Sequence, residues 1–228
     1  MPVPSRVRDG ILIIYLHGFA SSSHSSKATY LGERLRGRGF EVLIPDLNLP
    51  DFPTLTVTRM LDQVGALMAG APGPVTLFGS SLGGYVAVNA AARWPERIDA
   101  LVLLAPALDF SEEGLGAPGG ASLRDWKRDG QLQVFHFGYG RMMPIHYGLY
   151  EDARRYDAMR ADVRMPVLAF QGTRDTSVSP ETVRRWAAHR PNVTLHLLDD
   201  DHQLSASLGF IWQEVERFLA TPRGGASV

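Results

Sequence analysis

Short apolar runs alternate with helical patterns along most of this 228-residue chain. Most runs are nearly continuous in Val, Ile, Leu and Phe, which is typical of parallel strands covered by helices on both faces. Six strands are predicted, at residues 11–16, 41–45, 75–78, 100–104, 167–171 and 193–198. Five helices are predicted, at residues 26–38, 56–68, 82–93, 180–188 and 205–219. The alternation predicts an α/β fold with a doubly wound, mostly parallel sheet, whose strands end at one common edge.

The composition excludes several functional classes. The 23 basic and 24 acidic residues leave a net charge of -1, so no overall field favours nucleic acid or an anionic membrane as a partner. The chain has no cysteine, which excludes disulfides, thiolate metal sites and a cysteine nucleophile. Residues 1–6 lack an apolar segment of signal-peptide length, and the run 11–16 is too short to span a bilayer. We therefore expect a cytoplasmic protein.

One segment, residues 107–162, interrupts the alternation. It opens with a glycine-rich loop, continues through Trp126 and contains a predicted hairpin of residues 133–137 and 142–147. Insertions of this length are usually functional lids or disordered linkers. Because the segment is dense in Trp, Phe, Tyr and Met, we interpret it as a small cap over the active edge of one domain that covers residues 1–228.

The pattern G-x-S-x-G occurs at residues 79–83, between an apolar run and a stretch of small residues. This is the pattern of a nucleophile elbow, a strand-to-helix turn so sharp that the serine backbone is strained. Gly79 and Gly83 leave the room that the turn requires. Ser81 would then lie above a helix N-terminus, where developing negative charge is stabilised. The alternative is a glycine-rich turn whose serines only cap the helix.

A serine nucleophile needs a general base, and the base needs an orienting carboxylate. Among seven histidines, His202 follows the last predicted strand and shares the carboxyl edge with Ser81, so it is the candidate base. Asp175 lies in the loop that leaves the strand 167–171 and is the candidate carboxylate, although it could be a simple turn residue. Asp109, beyond an earlier strand, is the rival position.

An acidic run, Asp199-Asp200-Asp201, directly precedes His202. These carboxylates are too close to the histidine in sequence to be obvious partners for its ring. We interpret the run as a solvated loop that favours the protonated imidazole. A metal site is the alternative, but no second histidine has a helpful spacing, so no metal is expected.

Acyl transfer places negative charge on a carbonyl oxygen, which two preorganised backbone N–H groups can stabilise. Leu82, directly after the serine, would supply one of them. The loop after the first strand would supply the other through Phe19, because Gly18 permits a close approach.

These positions, in the order Ser, Asp, His, resemble the α/β-hydrolase superfamily over the chain from Ile11 to about Leu219. The segments Leu16-His17-Gly18-Phe19-Ala20-Ser21-Ser22 and Gly79-Ser80-Ser81-Leu82-Gly83-Gly84 are similar to the compact YqiA/YcfP-like esterases. The chain has little room before its first core strand, so the antiparallel N-terminal strands of many members are not expected. The resemblance implies hydrolysis of carboxylic esters or thioesters without a cofactor.

The expected function is therefore that of a serine hydrolase acting on small to medium acyl esters or thioesters. Ser81 would attack the carbonyl, His202 would take its proton and Asp175 would hold the imidazole tautomer. The same site could instead cleave amides or run a lyase or acyl-transfer step, because fold does not determine function. A third hypothesis is an inactive binding module that uses the cap as its surface.

Six large residues of the cap are predicted to line or cover the acyl pocket. They are Trp126, Phe135, Phe137, Met142, Met143 and Tyr147. The alternative is that they form a satellite core beneath the cap.

Overall fold

The structure is a computed structural model that describes residues 11–110 and 122–221. Its strands are β1 (Leu12–Leu16), β2 (Glu41–Leu43), β3 (Val75–Ser80), β4 (Ile98–Leu104), β5 (Gln131–His136), β6 (Arg141–His146), β7 (Val167–Gly172) and β8 (Val193–Leu198). Its α-helices are α1 (Ser26–Gly37), α2 (Val57–Ala69), α3 (Leu82–Arg93), α4 (Leu123–Asp129), α5 (Gly148–Ala153), α6 (Pro180–Ala188) and α7 (Leu208–Ala220).

Six of these strands form one sheet in the order β2-β1-β3-β4-β7-β8, and every neighbouring pair is parallel. The predicted doubly wound parallel sheet is confirmed. All six predicted strands are present, and the carboxyl ends of β1, β3, β7 and β8 carry the loops that contain the candidate site residues.

Helices cover both faces of the sheet because the strand side chains alternate between them. Within β1, Leu12, Ile14 and Leu16 pack on the side of α2, α3 and α6. Ile13 and Tyr15 pack on the opposite side, against α1 and α7. These strand residues are buried on both faces, which explains their continuous apolar pattern.

The last helix begins later than predicted, at Leu208 rather than at residue 205. Leu204 has a φ of 55°, a conformation that a helix cannot contain. The carboxylate of Asp200 accepts a hydrogen bond from the Ser207 N–H at 2.9 Å and holds the intervening turn. The loop that contains His202 is therefore longer than the sequence indicated.

The segment predicted to be a cap contains α4, α5 and the predicted hairpin, which is the antiparallel pair β5–β6. The hairpin is attached at both ends to loops of the main sheet. The Phe137 N–H donates to the Ala20 carbonyl at 2.8 Å, and the His146 N–H donates to the Pro53 carbonyl at 2.9 Å. Residues 111–121 of the predicted cap, including most of its glycine-rich loop, lie outside the described residues.

Among the residues that the structure describes, no helix is both long and apolar enough to cross a bilayer.

Candidate active site

Ser81 lies in the turn between β3 and α3 and has a φ of 53° and a ψ of -117°. Such a backbone is strained for a residue with a side chain and persists only where the surrounding structure holds it. A Cβ at Gly79 would lie 2.6 Å from the Gly83 carbonyl oxygen, and one at Gly83 would lie 2.1 Å from the Leu16 carbonyl oxygen. Both glycines are therefore required, and the strand-to-helix turn has the geometry expected of an elbow.

The loop after β1 lies directly against this turn. A Cβ at Gly18 would lie 3.3 Å from the Ser81 Cβ and 3.9 Å from its Oγ. Within the described residues, neither the Phe19 N–H nor the Leu82 N–H donates a hydrogen bond. The two candidate oxyanion donors thus flank the serine and are free to bind an acceptor.

His17 fixes the orientation of the peptide that joins Gly18 and Phe19. Its Nδ1 lies 2.9 Å from the Gly18 carbonyl oxygen, and its Nε2 lies 3.0 Å from the Leu47 backbone nitrogen. A carbonyl only accepts and an N–H only donates, so His17 carries its proton on Nδ1. His17 thus shapes the loop after β1.

The structure brings Asp175 and His202 together from two different loops. His202 Nδ1 lies 2.8 Å from Asp175 Oδ2, and the Asp175 side chain has no exposed surface. Asp175 Oδ2 also accepts from the Gln171 side-chain amide at 2.9 Å. Its Oδ1 accepts from the backbone N–H groups of Ser177 and Val178 at 2.8 and 2.9 Å. The carboxylate therefore has four donors.

These contacts determine the charge of Asp175. Burial raises the pKa of the carboxyl group, but the hydrogen bonds from His202, the Val178 N–H and Gln171 outweigh that effect and hold its pKa below the ordinary value. An ionised carboxylate only accepts hydrogen bonds, so His202 carries a proton on Nδ1. Its Nε2 is then left to act as a base.

Two residues that support Asp175 and His202 were not predicted from the sequence. Gln171, the penultimate residue of β7, is fully buried and holds Asp175 through its amide. A Cβ at Gly172 would lie 2.5 Å from the carbonyl oxygens of both Asp200 and Asp201, so a glycine is needed where the two loops cross. Gly172 was visible in the sequence as the residue before Thr173-Arg174-Asp175. Its need for a glycine was not, because the atoms that crowd it belong to Asp200 and Asp201 on another loop.

The acidic run before His202 is partly structural rather than a solvated loop. Asp200 is 5% exposed and accepts hydrogen bonds from the N–H groups of Asp201 and Ser207. Asp199 pairs with Arg174 at 3.0 Å on the surface. The run thus shapes the turn that presents His202.

Ser81 and His202 line the same open cleft, which has a volume of about 700 Å³. No hydrogen bond joins their side chains within the described residues, although catalytic hydrogen bonds are often long before substrate binds. Polar side chains dominate the lining, with seven serines and two aromatic rings. The lining residues are Gly18, Phe19, Ser21, Ser22, His24, Ser25, Ser26, Lys27, Ser80, Ser81, Phe137, Gly138, Ser177, His202 and Gln203.

Of the six cap residues predicted for the pocket, Phe137 alone lines this cleft, and it is 76% exposed. Trp126 is buried, donates its indole N–H to the Ile145 carbonyl at 3.0 Å and packs edge-on against Tyr147. Met143 packs against the main core. These three residues have a structural role, as the alternative expected, but they belong to or pack against the main core rather than forming a separate satellite core.

Phe135 and Met142 face solvent instead, as a directly opposed pair on the two strands of the hairpin. The expected pocket positions are wrong for them because neighbouring residues of a strand face opposite sides. Val134 and His136 take the inward positions of β5 and are buried.

Asp109, the rival carboxylate, lies elsewhere. Its Oδ2 accepts a hydrogen bond from the Thr182 hydroxyl at 2.9 Å, which ties the loop after β4 to α6. Across residues 11–110 and 122–221, no three His, Cys, Asp or Glu side chains converge in a way that could hold a metal ion.

The chain matches the uncharacterised protein family UPF0227 over residues 12–219. It is also 31% identical, over 129 residues, to a Mycobacterium tuberculosis protein named "Putative phosphoribosyl transferase". That alignment covers 51% of this chain, but the chain spans only 29% of that relative's length.

Solved structures share the fold at lower identity. Est1E from Butyrivibrio proteoclasticus, with ferulic acid bound, has a TM-score of 0.82 and 21% identity, over 95% of this chain and 89% of Est1E. Mouse α/β-hydrolase domain-containing protein 10 has a TM-score of 0.75 and 22% identity, over 91% of this chain and 89% of the mouse chain. The family match and the shared fold confirm the resemblance inferred from the two loops. The chain belongs to the uncharacterised protein family UPF0227 and has the α/β-hydrolase fold.

Proposed function

We propose that this protein is a serine hydrolase that cleaves carboxylic esters of small to medium acyl groups through an acyl-enzyme. One observation carries the proposal: Ser81, on a strained elbow, opens onto the same cleft as His202, whose ring is held by the buried carboxylate of Asp175. A buried carboxylate, an imidazole with a free Nε2 and a serine hydroxyl that lines the cleft are the three parts of a nucleophilic serine site.

The reaction has two halves. Ser81 Oγ attacks the ester carbonyl while His202 Nε2 takes its proton, and the N–H groups of Phe19 and Leu82 stabilise the oxyanion. The carbon–oxygen bond to the alcohol then breaks, and His202 returns the proton to the departing oxygen. A water molecule attacks the acyl-enzyme while His202 takes its proton. The bond between the acyl carbon and Ser81 Oγ then breaks, His202 returns the proton to Oγ, and the acid leaves.

The lining of the cleft favours esters with short or polar acyl groups. Seven serine hydroxyls and the cation of Lys27 are better partners for oxygen-rich groups than for a long alkyl chain, and Phe19 and Phe137 supply the aromatic surface. The fold relative Est1E was solved with ferulic acid, and a carboxylic acid is the product class of ester hydrolysis. Thioesters present the same carbonyl to Ser81 and belong to the same proposal.

The test combines labelling with a substrate panel. A fluorophosphonate probe should label the wild-type protein on Ser81, and the Ser81→Ala variant should remain folded, unlabelled and inactive. Ser80→Ala is the matched control because Ser80 precedes the elbow as the last residue of β3. A panel of p-nitrophenyl esters and acyl thioesters of increasing chain length then defines the acyl preference.

Three outcomes would contradict the proposal. Unlabelled wild-type protein that hydrolyses nothing would favour the binding module. Cleavage of amides in preference to esters of the same acid would favour an amidase. Loss of activity in Ser80→Ala but not in Ser81→Ala would overturn the assignment of the nucleophile.

A further inference from the structure

Lys27 is a buried lysine in the wall of the cleft. It is the second residue of α1, and only 6% of its surface is exposed. The chain has 23 basic residues, of which two are lysines, Lys27 and Lys127. One of these two lysines is thus buried beside the candidate active site.

This position is unfavourable for a cation in two respects. Burial removes the ammonium from water, and lysine is almost never fully buried unless it is paired. The first turn of a helix also carries partial positive charge, which disfavours a second positive charge there. A lysine that stays charged despite the loss of hydration and the repulsion from the helix N-terminus needs compensating partners. Such positions often mark functional sites.

The compensating partners belong to the loop that carries His202 and to the loop that carries Asp175. Lys27 Nζ donates a hydrogen bond to the His202 carbonyl oxygen at 3.1 Å, across 175 positions of sequence. The negative charges of Asp175, Asp201 and Asp200 also favour the ammonium form and oppose the decrease that burial causes in the pKa of Lys27. His24 and His202 are the other titratable groups on the same cleft.

We propose that Lys27 is a positioning residue for the proposed hydrolase reaction, whose ammonium holds the main chain of His202 so that the imidazole bonds Asp175 and faces Ser81. The inference rests on the proposed function. The loop after β8 has two anchors, Asp200 on its far side and Lys27 beneath His202 itself. Without the second anchor, the carbonyl of His202 loses a charged donor and the ring can move away from the serine.

The anchor depends on pH. Burial lowers the pKa of Lys27 to about 8, although the carboxylates of Asp175, Asp201 and Asp200 oppose the decrease. A neutral amine is a weaker donor than an ammonium. The kcat of the wild-type protein should therefore fall as the pH rises through about 8.

The test compares Lys27→Met, Lys27→Arg and the matched control Lys127→Met, which removes the exposed lysine of α4. The kcat and KM of the best ester are measured from pH 6 to pH 10. We expect Lys27→Met to lower kcat by about 100-fold, the effect of a misplacement of about 1 Å, with little change in KM. The kcat of Lys27→Met should not decrease as the pH rises through about 8. Lys27→Arg should keep most of the activity and show no decrease near pH 8, because guanidinium stays charged.

A Lys27→Met profile parallel to that of the wild type, or equal to that of Lys127→Met, would overturn the proposal. If Lys27→Met does not fold, Lys27→Arg decides: an alkaline decrease like that of the wild type overturns the proposal, and its absence with activity retained supports it.

A second measurement needs no enzymatic activity. The His202 Nδ1 proton, hydrogen-bonded to Asp175, should give a low-field proton NMR signal in the wild type and in Lys127→Met. We expect Lys27→Met to broaden or shift this signal, and an unchanged signal would overturn the positioning role. If the wild type hydrolyses no ester, the proposed function fails, and this signal still decides whether Lys27 positions His202.

Discussion

The Nδ1–H of His17 donates to the carbonyl oxygen of Gly18 at 2.9 Å. A trans peptide is planar, so the Gly18 carbonyl and the Phe19 N–H point in opposite directions. By holding the carbonyl on its own side, His17 turns the Phe19 N–H away from itself. The buried imidazole, 2% exposed, therefore sets the orientation of a proposed oxyanion donor.

Two substitutions test the two hydrogen bonds of His17 separately. In His17→Asn the amide nitrogen can replace Nδ1 as donor to Gly18, whereas in His17→Gln the side chain reaches the Leu47 N–H instead. We expect His17→Gln to lower kcat by up to about 100-fold, because a misplaced oxyanion donor stabilises the transition state less. His17→Asn should retain more of the kcat. Steady-state kinetics with a short-chain ester provide the measurement, and equal losses in both variants would contradict the role of the Gly18 bond.

Substitution of the two candidate carboxylates should have different kinetic effects. Asp175→Asn should lower kcat/KM by about four orders of magnitude, as in a serine protease, because the amide can hold the wrong imidazole tautomer. Asp109→Asn should change kcat/KM by less than about threefold, since an amide oxygen can still accept from Thr182. A larger loss at Asp109 would move the acid of the site to the earlier strand.

We expect the six large residues predicted for the pocket to divide into functional and structural positions. Phe137→Ala should change KM and chain-length preference with little effect on Tm, because the ring is exposed and lines the cleft. Trp126→Ala should cost about 3 to 5 kcal/mol of unfolding free energy and leave the relative rates across the panel unchanged. Met142→Ala, exposed but away from the cleft, is the control. A changed chain-length preference in Trp126→Ala alone would reverse this division.

The stability of the protein should depend on Lys27 between pH 8 and pH 10.5. Burial lowers the pKa of Lys27 from 10.5 to about 8, so in this range the unfolded chain binds more protons at Lys27 than the folded chain does. The contribution of Lys27 to the free energy of unfolding therefore rises with pH. The difference between wild type and Lys27→Met should rise by at most about 3 kcal/mol across the range. Urea unfolding at several pH values measures it, and a constant difference would contradict the prediction.

Much of the fold could be predicted because its signals are local. A continuous apolar run indicates a buried parallel strand wherever it occurs, and all six strands appear in the sheet. The elbow could also be predicted from the sequence, because the crowding at Gly79 and Gly83 arises from residues next to the serine and from the adjacent strand. The late start of α7 was missed, because the Asp200 contact that holds its preceding turn is not a periodic pattern.

The order of strands and helices, the turn at Ser81 and the edge of the sheet to which Asp175 and His202 belong could all be predicted from the amino-acid sequence. The side chains that meet at this edge were known only once the chain was folded. The tertiary structure paired His202 with Asp175 rather than Asp109, turned Trp126 into a core residue and placed Lys27 under His202. Periodicity indicates which face of a helix or strand is buried, whereas a hydrogen bond depends on the direction of two side chains that are distant in the chain.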